Sequence, residues 1–219
     1  MIGLVSEVMN ARKLKALVYV YADESCLGNQ FTDRANPGGA AGLIETFDER
    51  RGWYRRDYFV SDPDTTNQRM ALRSAIEGLN SITRPSRIAF HSDSNYLITG
   101  MKEWVHGWAR RGWKRKGGPI ENLGLWTELV IAAARHYSAK NGIAWHWVRG
   151  HAGHPKNEYA NKLAIEAARS QSDSNGLVES KFKGWVEAQQ EKDRFIDFLD
   201  VPPEDEFVAH PPPPTPPML

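Results

Sequence analysis

The chain has 219 residues, 41% of them hydrophobic and 25% charged, with a formal net charge of +1. That is enough chain for one ordinary domain with a buried core plus appendages. No apolar run approaches the roughly 18 residues that would cross a membrane, and no secretory signal is legible. A single cysteine, Cys26, excludes an internal disulfide framework and points to a cytoplasmic setting. Charge is unevenly placed: residues 171–219 carry −6 and residues 1–170 carry +7. Such a division fits a polyanion-binding body followed by an acidic tail.

Residues 1–14 form an N-terminal extension. Leu17–Ala22 (LVYVYA) is a β-branched and aromatic run that predicts a strand. An NPGG turn leads to a second strand near 40–46 and, after a turn at 48–52, to a third over 53–60. Thr65–Asn67 opens a helix carried by Met70, Leu72, Ala75, Ile76 and Leu79. Arg87–Phe90 is a short strand. Short helices follow at 96–100 and 102–111, separated by Gly100, and a longer one at 122–140. A strand at 143–148 and a helix from Pro155 to about Ser170 complete the body.

This order predicts a mixed α/β sheet with helices on its faces, an antiparallel hairpin on one side and parallel crossovers after it. Residues 171–200 read as a linker and an amphipathic helix at 181–199. The remaining stretch, 201–219, contains PPPPTPP and is expected to be disordered or polyproline II.

Asp23 and Asp93 each sit just past an apolar strand-like run, where ligands of such sheets collect. A glycine-rich GHAGHPKNE stretch follows at 150–158. Clustered carboxylates at strand ends suit hard divalent cations, and two such ions can drive an in-line phosphodiester displacement. Residues 102–118 hold six cations, Lys102, Arg110, Arg111, Lys114, Arg115 and Lys116, against Glu103, interleaved with Trp104, Trp108 and Trp113. Such an arm suits a phosphate backbone, with the first two tryptophans as its buried prop.

YADESCLGN, TTNQRMAL, HSDSNY, WVHGWARRGWK and HWVRGHAGHPKNEYANKLA, in this order, resemble the type 1 (bacterial HI-like) ribonuclease H family from about Lys15 to Ala168. The resemblance implies a five-stranded mixed sheet flanked by helices over residues 15–170. It also implies Mg²⁺- or Mn²⁺-dependent cleavage of RNA within RNA/DNA hybrids, by a monomer. The family's first and third carboxylates match Asp23 and Asp93, which become the metal ligands, and its mobile histidine matches His151. Its helix glutamate falls on Ala71, its last aspartate on Asn161, and the glycine after its first aspartate on Glu24. Positions that reach into the hybrid match Asn29, Asn67, Gln68 and Asn95. Cys26 lies beside them, and Arg110, Arg111, Trp113, Lys114, Arg115 and Lys116 form the family's basic arm.

Ala71 retains no ligand atom and Asn161 no charge, so the expectation is hybrid binding with weak or silent cleavage and a site holding one ion or weakly bound ions. Two rivals stay open. In one, Glu24 or Glu158 takes over a ligand role, although Glu24 should point away from Asp23 unless the strand bends. In the other, the domain is a non-catalytic adaptor that recruits a protein partner through the 181–199 helix and the proline-rich tail.

Overall fold

A computed structural model describes residues 17–28, 35–150, 152–203 and 207–217. Six strands form one mixed sheet in the order β5-β4-β1-β2-β3-β6. The first three, β1 (Val18–Cys26), β2 (Gly38–Asp48) and β3 (Gly52–Asp62), make the antiparallel meander. β4 (Arg87–Ser92) and β5 (Gly142–Trp147) extend it in parallel. Five strands answer to the expectation, and a two-residue β6 (Val178–Glu179) from the C-terminal extension adds to the β3 edge.

Strand alternation sets up two layers. Val20, Ala22, Ile88, Phe90 and Ile143 face helix α1 (Asn67–Ser81) and helix α4 (Leu123–Ala134), forming the larger core around Trp126. Tyr19, Tyr21, Leu43 and Ala89 face the other way. There they meet Tyr159 of helix α5 (Pro155–Ser170) and Phe182 of helix α6 (Phe182–Gln190). Thr66 caps α1 by accepting from the Arg69 backbone N–H at 3.3 Å. Among the described residues no helix is long and apolar enough to cross a membrane.

Gly100 does not break the arm into separate helices. Helix α2 (Asn95–Thr99), a π-helical turn at Gly100–Trp104 and helix α3 (Val105–Ala109) run on continuously. The glycine is there because a Cβ would strike the Trp126 ring, so it admits a close ring–backbone contact. Helix α4 stops at Ala134, well before the expected 140, and a Ser138–Asn141 bridge turns the chain into β5.

The C-terminal extension departs most from expectation. Helix α6 ends at Gln190, and a turn through Asp193 and Phe195, both with positive φ, folds Phe195 and Phe198 back over Trp185 and Phe182. Most of its apolar side chains therefore pack on its own domain, while Ile196 is 65% exposed. Asp200 then binds Arg55 through two oxygens, at 2.9 and 2.5 Å. Arg55 bonds Glu45 at 2.7 Å, and Glu45 also accepts from the buried Lys156 of α5. The proline-rich tail, expected to be disordered or polyproline II, lies along the β5 edge: the His210 N–H donates to the Ile143 carbonyl at 2.9 Å.

Candidate metal centre and nucleic-acid interface

The site begins with a mismatch in strand pairing. β1 pairs with β2 out to Cys26–Gly38, but with β4 only as far as Tyr21–His91. Past Tyr21 the two parallel strands separate. Asp23 and Glu24 stand on one wall of this opening, and Asp93, just past the end of β4, on the other. Ligand oxygens of Asp23, Glu24 and Asp93 all lie within 4.8 Å of one another. Asp23 is thus inside a strand rather than past its end.

Glu24 was expected to need a bend in β1. The strand stays regular, and alternation places Glu24 on the α1 face, in line with Val20 and Ala22, while Asp23 shares the face of Tyr19 and Tyr21. Because β4 no longer blocks the way, the longer glutamate side chain reaches across the opening to Asp93 and the Ser94 hydroxyl, which hydrogen-bonds it. The α1 face is also where Ala71 lies fully buried, in one cluster with Val20 and Ala22. A carboxylate from the strand therefore stands on the same face of the sheet as Ala71, which offers only a methyl group.

Burial, and then the nearby Asp93, push the Asp23 carboxyl up to about 8, while hydrogen bonds from the Glu24 N–H and the Asn157 amide partly counter this. Burial, then Asp23 and Asp93, raise Glu24 well above the ordinary range. Glu24 Oε2 is buried without a hydrogen-bond partner. Three crowded carboxyl groups, two of them starved of water and one with an orphaned oxygen, form a donor set that fits a hard divalent cation.

The supporting residues come from α5 and the loop before it. Asn157 Nδ2 donates to Asp23 Oδ2 at 3.0 Å, and the Asp23 Oδ1 accepts the Glu24 N–H at 2.7 Å. Asn161 follows one helical turn later on the same side of α5, half-buried. Glu158 raises the Asp23 carboxyl through space, but it is not one of the clustered three and lies 3.9 Å from Arg194. His154 caps α5, its Nδ1 accepting from the Asn157 N–H at 3.4 Å, and its ring packs on Tyr21. His151 lies outside the described residues. Gly150, just before it, packs against Asp93 so closely that a Cβ would collide with the carboxylate. The indole of Trp147, 50% exposed, donates to the Asp93 carbonyl at 3.0 Å.

Sequence reasoning missed Asn157, Ser94 and Trp147 as supports. Asn157 was legible in principle, since it stands four residues before Asn161 on one helix face.

Asn67, Gln68 and Asn95 are exposed at the first turns of α1 and α2, both of which open toward the carboxyl ends of β1 and β4. Asn29 lies outside the described residues. Gln68 shares a groove of about 370 Å³ with Tyr96, Trp104, Trp108 and Arg115, so an amide and an arm cation meet there. Arg110, Arg111, Lys114, Arg115 and Lys116 are exposed, with Arg115 3.1 Å from Glu121. Trp104 and Trp108 pack on buried Trp126, as a prop should. Trp113 is half-buried and donates its indole N–H to the Thr215 carbonyl at 3.1 Å. The Cys26 thiol points at the Thr65 and Asn36 carbonyls, and burial raises it, which leaves it a packing residue.

Comparison with known proteins converges on one family. The RNase H family model matches residues 15–169. A ribonuclease H of Erythrobacter litoralis is 41% identical over 156 residues, covering 71% of this chain and 98% of that protein. One from Syntrophotalea carbinolica is 40% identical over 154 residues, covering 70% and 91% respectively. A crystal structure of LC9-RNase H1, described as a type 1 RNase H with the type 2 active-site motif, superposes with a TM-score of 0.80. It is 45% identical and covers 91% of this chain and 94% of that one. The strand order, the carboxylate cluster and these matches agree, and the chain belongs to the ribonuclease H family.

Proposed function

We propose that this chain is an active, metal-dependent ribonuclease H that cleaves the RNA strand of RNA/DNA hybrids, with Glu24 supplying the carboxylate that position 71 lacks. The observation that carries this reading is the cluster of Asp23, Glu24 and Asp93 within 4.8 Å. Silent cleavage was expected because Ala71 removes a ligand and Asn161 a charge; a third carboxylate, Glu24, on the face of the sheet that Ala71 shares supports the active reading instead. The family relationship supports the reaction class, and the resemblance to LC9-RNase H1 supports a rearranged carboxylate set.

In this reading Asp23, Glu24 and Asp93 hold Mg²⁺ or Mn²⁺. When bound, the ion supplies electrophilic activation of water and stabilisation of the leaving oxygen. Asn157 fixes the rotamer of Asp23, and Ser94 and Trp147 fix the strand end around Glu24 and Asp93. Asn161 offers an amide oxygen on the α5 side. His151 follows Gly150 in the sequence and matches the family's mobile histidine, which would exchange protons with the product. The arm cations take the duplex backbone, and Asn67, Gln68 and Asn95 address the minor groove, where 2′-hydroxyls distinguish RNA from DNA. One chain carries the whole carboxylate set, so a monomer suffices.

The test is cleavage by the full chain of four labelled 20-mers: an RNA/DNA hybrid, double-stranded RNA, double-stranded DNA and single-stranded RNA. Mg²⁺- or Mn²⁺-dependent cutting confined to the hybrid's RNA strand is expected. Absence of hybrid cleavage with either metal would return the reading to a silent binder.

A further inference from the structure

The tail beyond Val201 supplies none of the clustered carboxylates, yet it touches the domain at successive points. The Arg87 guanidinium lies 4.7 Å over the Phe207 ring at the start of β4. Ala209 packs against Gly142, where an added Cβ would come within 2.7 Å of it. His210 then bonds the β5 edge twice: its N–H donates to the Ile143 carbonyl at 2.9 Å, and its Nδ1 accepts from the Trp145 N–H at 3.1 Å. Five residues later, the Thr215 carbonyl accepts the Trp113 indole N–H at 3.1 Å.

Between the last two anchors lie Pro211–Pro214. Prolines fix φ and favour the extended polyproline II form, so the five steps from 210 to 215 span roughly 15 Å as a stiff rod. They also carry no N–H, so they donate nothing to an edge strand beside them.

The far anchor is the end of the arm's helix. Gly112 and Trp113 have φ of 63° and 59°, and the Trp113 N–H closes back on the Trp108 carbonyl at 2.8 Å. A tryptophan in the left-handed region is disfavoured and holds only where its surroundings fix it. Lys114, Arg115 and Lys116 follow directly, so the turn at Trp113 sets the direction in which these cations leave the helix.

The geometry points to the segment Phe207–Thr215 as an intramolecular strap that positions the basic arm for the nucleic-acid backbone, by tying the turn at Trp113 to the outer edge of the sheet. This rests on the hybrid-binding reading above. The strap touches no substrate. It acts by ordering the cations before the duplex arrives, which lowers the entropy lost on binding.

In the full chain, replace the rod by a flexible segment of equal length (Pro211→Gly, Pro212→Ser, Pro213→Gly, Pro214→Ser), and separately make His210→Ala to free the near anchor. Three quantities are then measured: the Kd of a fluorescent RNA/DNA hybrid in metal-free buffer, KM and kcat with Mg²⁺, and ¹⁵N relaxation of the Trp113 indole. The quadruple variant should raise Kd and KM roughly five-fold with kcat unchanged, and make the Trp113 indole mobile; His210→Ala should act in the same direction. Unchanged Kd, or an indole as ordered as in the parent, overturns the strap. Tighter binding overturns it too, because the tail would then be a competitor for the arm. A parent chain that binds no hybrid would instead sink the functional reading, and the strap would stand or fall on the indole relaxation alone.

Discussion

Asn157 donates its side-chain amide to Asp23 Oδ2 across 3.0 Å, joining the first turn of α5 to the middle strand of the sheet. Both groups are buried, so the bond fixes one oxygen of Asp23 and leaves the direction of the other determined. Replacing Asn157 by Ala should weaken metal binding and hybrid cleavage by about 10- to 100-fold, the usual cost of losing a group that orients a ligand. Calorimetric titration with Mn²⁺ beside initial-rate kinetics checks this. Because Asn157→Ala leaves the arm intact, hybrid affinity without metal should not change.

The raised carboxyls tie stability to pH. Asp23 moves from an ordinary 3.8 to about 8 in the folded chain, and Glu24 also moves upward. Between those values these two groups bind more protons in the folded state than in the unfolded one, so their contribution to stability falls as pH rises. His91, His136, His154 and His210, held below the ordinary histidine value by burial, act in the opposite sense at lower pH, so the metal-free protein should melt at progressively lower temperature from about pH 6.5 to pH 8. Mg²⁺ should reverse the trend, since it favours the ionised carboxylates. Melting curves in EDTA and in Mg²⁺ across this range test both signs; a flat metal-free profile would contradict the placement of Asp23 and Glu24.

Ala71→Glu should not repair the site. Ala71 is fully buried on the face that Glu24 already serves, so a second glutamate there adds both volume and like charge. A loss of about 1–3 kcal/mol is expected from overpacking alone, with no gain in rate. Moving the carboxylate rather than adding one, in the Glu24→Gly/Ala71→Glu double variant, should recover more activity than Glu24→Gly. Thermal melts and hybrid cleavage of the three variants decide the matter.

The C-terminal extension is held through Glu45, which bonds buried Lys156 on one side and Arg55 on the other, with Asp200 closing the chain of charges. Removing the middle member strands Lys156 without its partner, so Glu45→Ala should cost about 3–5 kcal/mol. Asp200→Ala, at the exposed end, should cost far less, at most about 1 kcal/mol. Urea denaturation of both variants measures the ratio.

Much of this was legible before the structure. The strands around Tyr19–Tyr21 and the capped helix after Thr66 follow from local pattern, because burial on one face imposes a period on the chain; the two aspartates were found as well, but Asp23 lies within β1 and only Asp93 past a strand end. Glu24 was misjudged for a physical reason. Alternation correctly gave its face, but whether a side chain can cross to its neighbour's face depends on where β4 stops pairing, and that is a tertiary fact. The arm was read as two helices because a glycine ordinarily breaks one; here Gly100 answers to the Trp126 ring, 26 residues away. The extension's contacts, such as Asp200 with Arg55 and Thr215 with Trp113, are long-range and aperiodic, and no local pattern announces them.

The most direct test of the account is Glu24→Gln, which keeps the shape of the side chain and removes the charge. Cleavage of a labelled RNA/DNA hybrid in Mg²⁺ is measured for the parent and the variant, with the melting temperature as a check on folding. The parent should cut the RNA strand, and Glu24→Gln should lose on the order of 100-fold or more in kcat while hybrid affinity is retained. A variant that cuts as fast as the parent would contradict the assignment of Glu24 as the replacement ligand.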